Sequence, residues 1–165
     1  MLLINTILIL LVISSIITDI TKRRIYNIQT YPVMMLGLIM NFAVGGVEGL
    51  ILSFLGLLFG MLLLLLFYIS GTIGAGDVKL LAAIGALKGS LFTLETMFYT
   101  ALIGGFMAIV IIAWQGTLIQ TLKNSLTYAC HPFKYSQDDS INHQYLPYGI
   151  AISIGCICTF ITSYL

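Results

Sequence analysis

The chain has 165 residues, 59% of them hydrophobic and only 8% charged, with a mean hydropathy of +1.07 and a formal net charge of +1. So little polar surface cannot cover a water-soluble globule, which puts the chain in the membrane class with the lipid bilayer as its solvent. A pI near 7.7 offers no basic stripe for nucleic acid, so that class of partner has no support and none is expected.

A membrane-crossing helix needs roughly 20 apolar residues, and on that rule the sequence divides into about six helices: an all-α polytopic bundle forming a single membrane-embedded domain over 1–165. The first runs from Leu2 to Asp19. No basic region precedes it and no small-residue cleavage site follows, so it reads as a retained helix and not a secretory signal. A polar loop, Thr21-Lys22-Arg23-Arg24, leads to a second helix from Ile28 to Val44, with Pro32 tolerated near its start. Gly45-Gly46 makes a turn into a third helix, Glu48 to Ser70, and Gly71 to Gly76 ends it. The fourth segment, from Asp77 to Lys88-Gly89, is too short to cross lipid alone and is expected to pack inside the bundle. The fifth covers Leu91 to Trp114, the polar stretch Gln115 to Tyr145 follows, and a sixth helix runs from Leu146 to Tyr164.

Lys and Arg near helix ends stay on the cytoplasmic side, so Lys22, Arg23 and Arg24 orient the chain. Loops 21–27, 71–76 and 115–145 are then cytoplasmic, adding Lys123 and Lys134, with Lys88 alone opposed. Asp19 and Asp77 fall at the same cytoplasmic depth although 58 positions apart.

A carboxylate in an apolar span costs several kcal/mol unless it finds a partner or water, which makes each a functional candidate. Asp19 has a plainer explanation as an i+4 partner of Arg23. Asp77 has one as the N-cap of the fourth helix. Neither accounts for two acids on one side of a bundle with so few elsewhere. Two close carboxyls share one proton, because one is pushed to bind it while the other stays charged. The charged member takes a proton from water as it attacks an amide carbonyl, and the protonated member donates to the carbonyl oxygen. Gly74-Ala75-Gly76-Asp77 suits such a site, since residues without Cβ let another chain approach closely. It lacks the Gly-Lys-Ser/Thr sequence of a phosphate cradle.

Three segments resemble the type IV prepilin peptidases and the related archaeal preflagellin peptidases, members of the Gly-x-Gly-Asp membrane aspartyl proteases. The first is Asp19-Ile20-Thr21-Lys22-Arg23-Arg24-Ile25-Tyr26-Asn27, with Tyr26 where the family has proline. The second and most specific is Gly74-Ala75-Gly76-Asp77-Val78-Lys79-Leu80. The third is Leu146-Pro147-Tyr148-Gly149-Ile150-Ala151, near the family's Pro-Phe-Gly-Pro, with Ile150 where a proline is usual. The resemblance implies that Asp19 and Asp77 are the catalytic pair, supported by Gly74, Gly76, Lys79, Pro147 and Gly149, and that a prepilin-like precursor loses its leader at the cytoplasmic face of the plasma membrane. It implies no cofactor. Larger relatives insert a cysteine-paired cytoplasmic domain after the first helix and methylate the new N-terminus. The first loop here, about ten residues, holds no such domain, so peptidase activity without methyltransferase activity is expected. Residues i and i+2 point to opposite sides of a helix, so Lys79 is not expected to pair with Asp77, and it reads equally as a snorkelling lysine at a helix end.

No metal is expected: Cys130, His131, Asp138, Asp139 and His143 share a polar loop but not a ligand spacing. Cys156 and Cys158 lie in an apolar helix without a paired motif. A small transporter or proton relay would also use buried carboxylates, but the chain shows no inverted repeat. A passive assembly subunit would use glycines such as Gly56 and Gly60, or Gly104 and Gly105, to pack helices.

Overall fold

A computed structural model of the chain describes residues 2–71, 73–114 and 148–163. The chain divides into two compact units, Met1–Ile103 with Pro147–Leu165, and Gly104–Leu146. Among the described residues there are five helices and no strand: α1 (Leu2–Lys22), α2 (Asn27–Ile69), α3 (Ala75–Lys88), α4 (Ser90–Trp114) and α5 (Tyr148–Thr162). Of the second unit, residues 104–114 are described, and they continue α4.

Three of these helices are long and apolar enough to cross a membrane: Leu2–Lys22, Asn27–Ile69 and Ser90–Val110. The expected count of about six is therefore not what the described structure displays. The second and third expected helices form one element of 43 residues, broken at Gly46, whose φ of 58° and ψ of −142° no helix contains. The arm 27–45 and the arm 47–69 meet just past the break, where Gly49 lies against the Asn41 carbonyl. At ~1.5 Å per residue the whole element is ~65 Å of helix, about twice the ~30 Å hydrocarbon core. The last helix, expected over Leu146 to Tyr164, is seen over Tyr148–Thr162. The 115–145 loop, with Cys130, both histidines, Asp138 and Asp139, lies outside the described residues.

Polarity is turned inside out. Leu10, Ile17, Leu66, Leu91 and Phe106 face outward, whereas Ser15, Thr30, Ser53, Thr93, Thr96, Ser153 and Thr159 are buried. An apolar outer surface this extensive belongs in lipid, and small hydroxyl residues between helices are how membrane bundles pack. On α1 the buried residues Ile4, Leu8, Leu11, Val12, Ser15 and Asp19 recur at helical spacing, so Asp19 ends the inward stripe.

At the centre stands α3, buried without interruption from Leu80 to Leu87. Its 14 residues rise only ~21 Å, which agrees with a segment held by protein rather than by lipid. Both arms of α2 flank it through small residues: Gly37 against Ala86, Gly56 against Gly85, and Gly60 against Leu81 and Ala82. The last carbonyls of any helix lack intrahelical partners. Here Asn41 Nδ2 donates to the carbonyls of Ala86 (3.1 Å) and Leu87 (3.2 Å), and Ser53 Oγ donates to Ala86 as well. At the same end Lys88 Nζ donates to Asn5 Oδ1 at 2.6 Å and lies over the rings of Phe92 and Phe160. The opposite end of α3 carries Asp77.

Candidate active site

The end of α1, the connection 23–26 and the start of α3 enclose a cleft of about 370 Å³. Asp19, Arg23, Arg24, Ile25, Tyr26, Asn27 and Gly74 through Asp77 line it, so the two acids 58 positions apart share one space. The connection is four residues, shorter than the ten expected, because α1 runs a further turn past Asp19 to Lys22. Arg23 ends that helix with a φ of 50°, a left-handed conformation that side chains other than glycine seldom adopt. Helical geometry therefore stops at the i+4 partner expected for Asp19, and among the described residues no ion pair joins Asp19 to Arg23.

Asp19 is 6% exposed. Its Oδ2 accepts a hydrogen bond from the Ile150 amide at 3.0 Å, and Gly149 lies directly against the same carboxylate. A Cβ at Gly149 would stand 2.8 Å from Asp19 Oδ2 and 2.9 Å from Ile25 Cδ1, so glycine there is a requirement of close approach. Gly76 is confined in a similar way, with Ile25 Cβ at 3.0 Å and the Ile25 carbonyl at 3.1 Å from where its own Cβ would be. Ile25 is thus wedged between the first turns of α3 and α5. It ties together the three motif segments, a role that sequence reasoning did not assign to it.

Asp77 is not the N-cap of its helix, as the plainer explanation had it. Gly74 occupies that position with extended backbone angles, and Asp77 is the third helical residue. Its carboxylate reaches back to the Gly74 amide, the acidic half of a capping box. Asp77 lies outside the three spanning helices, and burial, then the neighbouring charge of Asp19, push its carboxyl up to about 7. Lys79 does not line the cleft itself: its Nζ donates to Oδ1 of the lining residue Asn27 at 2.8 Å and lies 5.1 Å from the centre of the Tyr31 ring, fastening α3 to the start of α2. Pro147 lies outside the described residues. Among the described residues no cluster of metal-ligating side chains occurs.

The raised Asp77 carboxyl has a consequence for stability. Its ordinary value is 3.8, so between about 4 and 7 the folded chain holds a proton that the unfolded chain has released. Stability falls as pH rises through that window and is lowest above about 7. Asp77→Asn removes the effect. Its apparent melting temperature in detergent should match wild type near pH 4 and exceed it increasingly up to about pH 7. The plateau corresponds to on the order of 2–4 kcal/mol. A pH-independent difference would show that Asp77 ionises normally.

Fold and cleft together define a helical membrane-type bundle built around a pair of carboxyl groups. The model of the type IV leader peptidase family, Peptidase_A24, matches residues 6–109, and the chain belongs to that family. The match spans Asp19 and Gly74–Lys79 and ends before α5. No curated protein and no solved structure matches the chain.

Proposed function

We propose that this peptidase is an aspartic endopeptidase that removes the leader of a prepilin-like precursor at the cytoplasmic face of the plasma membrane, with Asp19 and Asp77 as its catalytic pair. The observation that carries the reading is the convergence of these two acids on one cleft in a chain of the leader peptidase family. Supporting it, Asp77 is disposed to keep a proton near neutral pH, as the acid member of such a pair must. One carboxylate takes a proton from water as its oxygen adds to the scissile carbonyl carbon. The other gives its proton to the carbonyl oxygen. When the adduct collapses, the C–N bond breaks and the leaving nitrogen is protonated from the pair.

The cytoplasmic placement rests on Lys22, Arg23 and Arg24 beside the cleft, by the retention of basic residues on that side. Alternation along the chain puts residues 74–77 on the same side, with Gly46 at the opposite face. The connection of four residues between α1 and α2 supports a peptidase without methyltransferase activity.

The test is co-expression with pilin-type precursors, followed by the mass of the product. Loss of a short N-terminal leader is expected, undiminished when the purified protein acts in a chelator. Transfer of a methyl group from S-adenosylmethionine to the product would contradict the short-form reading, and intact precursors throughout would contradict the substrate class.

A further inference from the structure

Among the described residues, Lys88 is the one Lys or Arg at the end of the bundle remote from the cleft, and the retention of basic residues on the cleft side gives it no reason to be there. A lysine in a last turn ordinarily serves the carbonyls of its own helix. Here Asn41 and Ser53 take those of Ala86 and Leu87, and Lys88 reaches across to Asn5 of α1, Phe92 of α4 and Phe160 of α5. The Asn5 oxygen accepts only one of the donors of the ammonium, and among the described residues no carboxylate pairs with it. Phe160 also lines a second cavity, of about 270 Å³, between α1 and α5. Its lining is apolar throughout: Leu8, Val12 and Cys156 form a buried floor, and Ile9, Ile13 and Ile157 form exposed rims. Asn5 stands one turn outside this groove, which extends ~12 Å along α1 from Asn5 to Ile13, away from the charge and toward the middle of the bundle.

We propose that Lys88 and the α1–α5 groove form a site for an anionic phospholipid of the leaflet remote from the cleft: the phosphate takes the Lys88 ammonium, and an acyl chain lies over Leu8, Val12 and Cys156. A cation at the end of an apolar groove is complementary to a charged head joined to an apolar tail. Lysine binds phosphate as a point charge, and basic positions between membrane helices recognise anionic headgroups. That charge lowers the cost of keeping Lys88 at the edge of an apolar bundle. The chain covers a floor that no helix of the described structure covers. Because α1 and α5 meet again at Asp19 and Gly149, a lipid between their far ends braces the helix pair that shapes the cleft. The site stands independently of the peptidase reading.

Native mass spectrometry of the full chain, released from detergent after titration with phosphatidylglycerol or with phosphatidylcholine of the same acyl chains, tests this. Wild type should retain one phosphatidylglycerol, roughly fivefold more tightly than phosphatidylcholine, the contribution of one lysine beside an anionic headgroup. Lys88→Gln keeps a donor for Asn5 and should erase that preference, whereas Lys88→Arg should keep it. Ile13→Trp fills the groove from its exposed rim and leaves the buried floor alone. It should weaken retention of both lipids by roughly tenfold or more, the equivalent of about two buried methylenes. Glycerophosphoglycerol, the headgroup without chains, should not compete. Equal retention of the two lipids by wild type, or a preference that survives Lys88→Gln, would overturn the proposal, as would a wild type that retains neither. Competition by glycerophosphoglycerol at the strength of the lipid would leave a phosphate site without a chain and overturn it too. So would a dimer mass abolished by Ile13→Trp, which gives the groove to a second copy, or a crosslink from position 13 to a precursor, which gives it to substrate.

Discussion

Replacing either Asp19 or Asp77 by asparagine is expected to abolish precursor cleavage, by at least roughly 10³-fold, while the protein stays folded. Each substitution removes the one property the chemistry needs, a carboxyl that exchanges a proton, and keeps the shape of the side chain. Asparagine at 19 retains a carbonyl oxygen that can accept from the Ile150 amide, so the junction of α1 with α5 survives. At 77 it retains an acceptor for the Gly74 amide. Burying carboxyl groups is a cost to the fold rather than a source of stability, so neither variant should melt below wild type. Because the two acids act as one unit, the double variant should be no slower than the worse single one. On the aspartic-peptidase reading, activity should also decline as pH rises above about 7, where Asp77 gives up its proton. Product masses from wild type and the three variants decide the matter. Cleavage that survives both single substitutions would end the reading of these residues as a catalytic pair. Gross unfolding of either would return them to a structural role.

How far the sequence discloses this arrangement depends on the distance over which each interaction acts. Helices, membrane class and the two acids follow from local composition and from the cost of a carboxylate in an apolar run. The inward stripe of α1 that ends on Asp19 obeys the same 3.6-residue spacing. The burial of α3 follows from its length. What could not be read are the pairings between remote segments. Asn41 and Ser53 look like incidental polar residues until the carbonyls of Ala86 and Leu87 are seen to need them. Gly149 has no local turn to explain it, because its reason is a carboxylate 130 positions away. Ile25 is one isoleucine among many until Gly76 and Gly149 close on either side of it. The end of α1 was misjudged for the opposite reason. An acidic residue before a basic run suggests a helix end, but the backbone continues one turn, and it is the left-handed angle at Arg23 that stops it. By contrast, the turn expected at Gly45-Gly46 is where the 43-residue element breaks, through the non-helical angles of Gly46 alone.

The largest expected effect on stability lies away from the cleft, where Gly56 of α2 meets Gly85 of α3. Each glycine faces the carbonyl of the other, and a Cβ on Gly56 would also come within 2.7 Å of the Gly89 Cα. These neighbours are backbone, which cannot rotate aside as a side chain does. In lipid the association of helices depends on this close packing, since no hydrophobic gain favours protein contact over contact with acyl chains. Gly56→Ala or Gly85→Ala must therefore part α2 from α3, loosening the buried run Leu80–Leu87 and the Asn41 and Ser53 bonds to its end. Each should destabilise by about 3 kcal/mol or more. Gly105 in α4 has nothing within 4 Å of its would-be Cβ, so Gly105→Ala should be neutral or gain up to about 1 kcal/mol from helix propensity. Because α3 carries Asp77, the two packing variants should lose cleavage and melting temperature together, whereas asparagine at 19 or 77 loses cleavage alone. Thermal melts in detergent beside product masses separate the two patterns. A Gly85→Ala protein that melts like wild type would show that α3 is not clasped by α2 at this point.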